Sequence, residues 1–510
     1  MKSRRKLFSN TFYLFLDWFT LNLTGFLYWF IAGKILLPHE YGIISTSVNL
    51  AVLLSSISFL GLNLTMRKII PEYLAKKKVG KIRTFLKTSL KTLTYSYFIL
   101  LIVFLLFSKS LSVTIKLPTN VILISLLLTF SFLFSGFFGG ILYGFQEMRK
   151  FFLSDFYGQL VKVIIATLLI FLGFRYYGSL IGILVGFFLI LLIRSKMVIR
   201  LLNFFKPGEK IEFRKIMKDY SLPAFISFLA TTLFLNGQYV LLTILKDTEV
   251  TGIFSIAMLL TSIIATFPGI LSSALFPIIS FLSADSRTKS KQRYLIQLVL
   301  RYAFFFSLPI AFLLSIFSKQ AILFFSRVEY LEASSLFPIL ITASLIFGMR
   351  NIFLSNLYAI GKTKIYSNII LLTTFIFFIL VFPLVNKFSS LGIAISYLLS
   401  VLVSAILGYF YLEKSLLFKV PLIPISKAVL SSSLSFLLLY YLTRFTSGIT
   451  DYLLVLFSGA VYLIVLYFMK FYRKEDVRIL EIGMEKISFL KPFLKPVITI
   501  LSKNLEGVKK

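Results

Sequence analysis

Two cations stand where an apolar sequence would ordinarily hold none: Lys162 within the run 152 to 174, and Arg350 within the run 331 to 360. A charge in hydrocarbon costs about 2.5 to 3.5 kcal/mol on insertion scales, so such a residue is a functional candidate by default. An ammonium or guanidinium facing a wetted interior attracts phosphate, and this substrate-binding role is expected of both. The competing expectation pairs Lys162 with Asp155, seven residues back on the same helix face, and lets Arg350 snorkel to the membrane surface. Asp17 is the clear carboxylate of the first apolar run. It could bind a proton or a sodium ion, or pair with a basic residue nearby. Asn22, Asn63, Asn236 and Gln238 put amides into apolar runs, where they could hydrogen-bond sugar hydroxyls or tie helices together. Pro268 and Pro277 fall inside another run, with Pro223 near the start of the one before it. Proline frees a backbone carbonyl and permits bending, which suits a gate as well as a plain kink.

Other chemistry is excluded by composition. There is no cysteine and a single histidine, His39, so thiolate metal sites and disulfides cannot form and no histidine cluster exists. Gly361, Lys362 and Thr363 look like the end of a phosphate-binding loop, but that motif needs glycine at position 356, which is Asn356. No cofactor is expected beyond a coupling ion, H+ or Na+.

The elements that carry these residues follow from hydropathy. Of 510 residues 58% are hydrophobic, 15% are charged, and mean hydropathy is +0.92, too apolar for a soluble core to be covered. Apolar blocks of about 18 to 25 residues match the length that a helix needs to cross a bilayer. Runs such as Val121 to Phe134 show no period of two, which argues against barrel strands. An all-α integral membrane protein of about fourteen spans is expected. They lie near 11–36, 42–66, 88–108, 119–145, 152–174, 177–200, 219–245, 250–282, 294–318, 331–360, 365–386, 388–412, 424–443 and 450–470. The net charge of +34 would suggest nucleic acid in a soluble protein. Here the basic residues gather in short loops after even-numbered spans, so anionic membrane lipids are the expected partner, not nucleic acid, and both termini are expected in the cytoplasm.

The two halves also resemble each other. Tyr41, Gly42, Ile43, Ile44, Ser45 aligns with Thr251, Gly252, Ile253, Phe254, Ser255, and Gly182, Ile183 aligns with Gly392, Ile393. Leu142, Tyr143 aligns with Leu357, Tyr358 at a nearly equal offset. Matches in this order on one side of the membrane suggest two parallel halves of six helices. The expected organisation is an N-terminal lobe (1–202), a charged cytoplasmic linker (203–218), a C-terminal lobe (219–412), two further spans (413–471), and a cytoplasmic tail (472–510). In that tail Val477, Leu480, Met484 and Ile487 recur at helical spacing, the pattern of an amphipathic helix on the inner leaflet.

Taken together, these features resemble the MATE-like flippase superfamily, and within it the polysaccharide-exporter (Wzx-type) branch. The residues that carry the resemblance are Leu37 to Ile43, reading LPHEYGI, then Arg67 to Tyr73, then Leu357 to Lys364, reading LYAIGKTK, then Leu391 to Ala394, and Lys474 to Asp476. None is a catalytic signature; order and spacing carry the match. The resemblance implies two six-helix lobes around a central cavity, alternating access, and two extra C-terminal helices. It also implies a substrate made of a sugar chain linked through phosphate to a long isoprenoid, with glycan polymerase or glycosyltransferase machinery as a neighbour in the cell membrane. Many relatives carry Asp where this chain has Gln238, which puts an ion site in the second lobe in doubt. The expected function is therefore a flippase for lipid-linked oligosaccharide. The alternatives are a cation-coupled multidrug exporter, a peptidoglycan lipid-precursor flippase and, from another class, a membrane glycosyltransferase or glycan ligase. Catalysis would need acidic clusters that the sequence lacks.

Overall fold

The structure is a computed structural model that describes residues 2–202, 209–445, 449–473, 475–478, 481 and 495. Among these residues the regular elements are all helical. The main ones are α1 (Lys2–Ile35), α2 (Pro38–Phe59), α3 (Leu62–Ala75), α4 (Val79–Leu106), α5 (Ser108–Ile115), α6 (Thr119–Gly144), α7 (Met148–Leu169), α8 (Arg175–Leu202), the short α9 (Phe213–Ile216) and α10 (Leu222–Leu245). They continue as α11 (Thr248–Leu282), α12 (Lys289–Ile316), α13 (Ser318–Phe325), α14 (Phe337–Ala359), α15 (Thr363–Leu416), α16 (Leu422–Leu442) and α17 (Ile449–Phe468). Among the described residues, 11 helical stretches are long and apolar enough to cross a membrane. Two of them, 148–202 and 363–416, hold 55 and 54 residues, twice the length of one crossing.

Each of those long stretches folds back at a residue held in the same unusual conformation. Arg175 has φ 46° and ψ −132°, and Ser389 has φ 52° and ψ −128°. The likeness of the halves recurs at another corner. After α6, Gln146 takes φ 59°, the Gln146 amide donates to Tyr143 O at 3.0 Å, and the Glu147 amide donates to Leu142 O at 2.9 Å. After α14, Gly361 takes φ 82°, its amide donates to Tyr358 O at 3.1 Å, and the Lys362 amide donates to Leu357 O at 2.9 Å. Both corners use one left-handed residue to satisfy the last carbonyls of a helix. The aligned pairs of the sequence repeat thus carry the same backbone chemistry.

By packing, the chain divides into two compact units, drawn differently from the lobes of the repeat. Unit 1 holds residues 1–260, 319–340 and 367–404; unit 2 holds 261–318, 341–366 and 405–510. In unit 1 the equivalent helix starts α2 and α11 meet. A Cβ on Gly42 would lie 1.7 Å from Thr248 O, and one on Gly252 would lie 1.9 Å from Pro38 O, so neither position admits a side chain. Ser255 Oγ donates to Ser45 Oγ at 2.9 Å beside them. The two starts are capped by different residues: Glu40 Oε2 accepts from the Leu37 amide at 3.0 Å, while Asp247 Oδ1 accepts from the Val250 amide at 2.8 Å. At the same end, Tyr330 donates to Leu36 O at 3.0 Å and Lys34 to Leu323 O at 2.7 Å, satisfying carbonyls at the close of α1 and α13.

Serines and threonines gather inside, as Ser45, Thr46, Ser47, Ser55, Ser56 and Ser58 of α2 do, while Leu106, Phe281 and Phe468 stand outside. This inversion of the soluble pattern fits hydrocarbon as the surrounding solvent. Two expectations about local geometry change. The run 42–66 is not one straight helix, since Leu60 and Gly61 both adopt left-handed conformations and Leu62 begins a new helix that carries Asn63 in its first turn. Pro268 and Pro277 lie inside α11, which continues through both. Leu480, Met484 and Ile487 of the expected tail helix lie outside the described residues, as do residues 203–208 of the expected linker.

Candidate functional site: an intramembrane polar track

Small residues create the seam on which the track is built. Gly178, Gly182 and Gly186 recur every fourth position on α8, so they share one face. A Cβ at each would stand 2.8 Å from Leu169 Cβ, 2.5 Å from Ala166 Cβ and 2.6 Å from Lys162 Cβ. On α7, Gly158 faces the Gly186 carbonyl equally closely. Helices that approach this tightly exclude large side chains between their backbones and leave the flanks of the seam for longer polar groups.

On one flank lie Asp155, Gln159 and Lys162, all buried, at the three- and four-residue steps that stack side chains on one helix face. Arg194 of α8, also buried, closes on this row. Its Nη2 donates to Asp155 Oδ2 at 2.6 Å, its Nε to Ser154 Oγ at 2.9 Å and its Nη1 to Ser135 O at 3.0 Å. Its guanidinium also lies 4.4 Å from the centroid of the Phe151 ring. Asp17 of α1 sits within hydrogen-bonding reach of Asp155, and its Oδ1 is buried without a hydrogen-bond partner. Two carboxylates, Asp17 and Asp155, therefore stand near the Arg194 guanidinium. Further along, Lys162 Nζ lies 5.3 Å from the Tyr28 ring centroid, and the Tyr28 hydroxyl is bonded to Ser179 Oγ.

The sequence-based pairing of Lys162 with Asp155 is replaced. Asp155 is taken by Arg194, which arrives across the glycine seam, and among the described residues Lys162 makes no salt bridge. Arg350, in unit 2, is buried, donates from Nη1 to Asn351 Oδ1 at 3.2 Å and lies 5.3 Å from the Phe347 ring centroid. Nearby in that unit Pro268 rests on Gly348, where a Cβ would come within 2.6 Å of the ring. Pro277 is exposed.

The amides mostly serve their own helices. Asn22 is exposed and donates to Trp18 O at 2.7 Å; Asn63 Oδ1 accepts from the Leu64 amide at 2.7 Å; Asn236 donates to Thr232 O at 3.3 Å. Gln238 donates to Leu235 O at 2.9 Å, and its Oε1 is buried with no partner. Sequence reasoning passed over two buried arginines, Arg194 and Arg301. Arg301 of α12 donates to Phe471 O at 2.7 Å and to the Asp476 carboxylate, which also accepts from the Tyr302 hydroxyl. Both lie toward the ends of apolar runs beside other basic residues, Lys196 and Arg200 in one case and Lys291 and Arg293 in the other, so they read as part of the basic loops. Among the described residues no group of three or more His, Cys, Asp or Glu could hold a metal ion.

Long apolar helices, an internal repeat and a polar track within one helical bundle define the class: a multi-pass, all-helical membrane protein. The chain is similar in fold to the lipid II flippase MurJ in its inward closed conformation, at 18% identity and TM-score 0.71 over 89% of this chain and 98% of that one. It is also similar to a multidrug resistance MATE family transporter in an inward-facing conformation, at 17% identity and TM-score 0.56 over 80% and 94% of the two chains. A third likeness is to the MATE multidrug transporter DinF-BH, at 16% identity and TM-score 0.56 over 80% and 95%. No curated protein matches the sequence. Residues 7–283 match the family described as Polysaccharide biosynthesis protein, and the chain belongs to that family.

Proposed function

We propose that this protein is a flippase that carries lipid-linked oligosaccharide, joined through phosphate to an isoprenoid, from the cytoplasmic to the outer leaflet of the cell membrane by alternating access. The observation that supports this most is the buried cation Lys162, held beside a polar track in helices of membrane-crossing length, in a member of a polysaccharide biosynthesis family. A phosphate-bearing headgroup left unsolvated in hydrocarbon costs on the order of 20 kcal/mol by Born estimates, and a wetted basic lining lowers that barrier. Lys162 and Arg350 are each proposed to attract phosphate, with Asn22, Asn63, Asn236 and Gln238 as candidate contacts to sugar hydroxyls. Asp17, beside Asp155 and Arg194, is the candidate group for coupling to H+ or Na+. Pro268 and Pro277 are candidate bending points for gating. The basic loops and both termini face the cytoplasm in this reading, next to anionic lipids and glycan-assembling enzymes, and the protein moves its substrate without chemically altering it.

A second reading, a flippase for a peptidoglycan lipid precursor, draws on the fold likeness to the lipid II flippase MurJ. Two complementation strains separate the readings, one lacking its polysaccharide flippase and one depleted of its lipid II flippase. Rescue of surface polysaccharide alone supports the first reading, and rescue of growth in the second strain replaces it. Lys162→Ala and Arg350→Ala should each reduce the rescued export, and unchanged export in both would remove them from substrate binding.

A further inference from the structure

Unit 2 holds a cavity of about 660 Å³ that the transport reading does not use, and Arg350 is not among its lining residues. The long helix α15 turns back at Ser389, so Lys362 and Lys414, from its two ends, line the same cavity although 52 positions separate them. Lys289, from the first turn of α12, lines it as well. All three lysines are exposed, and among the described residues none makes a salt bridge. The acid of the adjoining turn, Asp285, is engaged by the Arg287 amide at 2.9 Å and by its guanidinium at 3.3 Å. The start of α15 opens beside Lys362 with no side chain capping it, which adds free backbone donors and the positive end of the helix dipole.

The lining is not made of solvated lysines alone. Gln292 is 2% exposed, its Nε2 is committed to Thr288 Oγ1 at 3.0 Å, and its Oε1 is buried with no hydrogen-bond partner. A buried amide oxygen without a partner costs stability unless a ligand supplies a donor. With the lysine ammoniums directed to a phosphate, this acceptor is left for a ligand hydroxyl. Tyr411 and Ser283 line the same cavity and offer further hydroxyls. The volume falls within the range of sites for small ligands.

We propose that this cavity binds a hydroxyl-bearing phosphate ester, with Lys289, Lys362 and Lys414 on the phosphate and Gln292 Oε1 accepting from the hydroxyl. The chemistry is shared by a glycerophosphate lipid headgroup and by a soluble sugar or polyol phosphate. Binding here is an equilibrium property that needs no transport, so it stands or falls apart from the flippase reading.

The test uses the full chain in phosphatidylcholine nanodiscs. One arm titrates sn-glycerol 3-phosphate against methyl phosphate by calorimetry, and the other dopes the nanodiscs with phosphatidylglycerol and counts retained lipid by native mass spectrometry. The wild type should bind in at least one arm, and the responding arm identifies the source. Each Lys→Gln change should weaken binding by about fivefold, as expected for exposed charge contacts, with Lys→Arg retaining most of it. Gln292→Leu should erase the preference for glycerol phosphate over methyl phosphate in the soluble arm, or for phosphatidylglycerol over phosphatidic acid in the lipid arm, a selectivity that a change in folding alone would not move. Lys77→Gln with Lys78→Gln, on the exposed turn after α3, should leave binding unchanged. Absence of binding in both arms, or binding indifferent to the three lysines, would overturn the proposal.

Discussion

A methyl group placed on Gly42 should force α2 and α11 apart. The added Cβ would stand 1.7 Å from Thr248 O, where ordinary contact begins at 3.4 Å, so the helix starts must separate by about 1.7 Å. Overpacking of this kind costs about 1 to 3 kcal/mol, and because the obstacle is backbone that cannot rotate away, the upper figure applies. At about 1.4 kcal/mol per tenfold, the joined arrangement loses roughly a hundredfold in population relative to one in which the starts have parted. The chain has no cysteine, which makes the assay clean. Ser45→Cys with Ser255→Cys replaces hydroxyls 2.9 Å apart and should oxidise readily to a disulfide in the otherwise unchanged chain. Adding Gly42→Ala should slow that oxidation, and should expose a lone Ser45→Cys thiol, 2% exposed in the parent, to a membrane-impermeant maleimide. Gly252→Ala should do the same, since its Cβ meets Pro38 O across the same seam. The double substitution should cost less than the sum, because helices parted by one methyl already admit the other. Equal disulfide rates and unchanged labelling in both alanine variants would refute the contact and the reasoning from it.

Three further outcomes are expected. Arg194→Gln should destabilise the protein by about 3 to 5 kcal/mol, because it leaves Asp155 buried without its cation, and Asp155→Asn added to it should restore much of the loss; a double variant no more stable than the single in thermal unfolding would count against the ion pair. Gly182→Leu should part α7 from α8 and lower the melting temperature more than Gly25→Leu, whose added Cβ meets nothing within 4 Å; equal effects would deny the seam. Asp476→Asn should weaken the hold of Arg301 and Tyr302 on the segment after α17 and quicken proteolysis near residue 473, while an unchanged cleavage rate would show that this contact does not anchor it.

Much of the architecture was legible in the chain. Apolar block length maps onto helix length because hydrocarbon leaves the backbone no partner outside its own helix, so a stretch such as 119–145 has little choice but to become α6. The repeat was legible for a related reason: a corner such as Gln146 or Gly361 must satisfy the last carbonyls locally, and local needs leave local traces. Buried charge was legible as position but not as partnership. Asp155 and Lys162 share a helix face in any sequence reading, yet the carboxylate goes to Arg194, 39 residues away, because three glycines let α8 come close enough to deliver it. Likewise Asn22 and Asn236, which read as open polar contacts, turn back on their own helix carbonyls. The turn at Ser389 alone brings Lys362 and Lys414 to one cavity with Lys289. Periodicity along one chain fixes which side of a helix is greasy; which side chains meet depends on the register and closeness of neighbouring helices, a three-dimensional quantity that no single strip of residues carries.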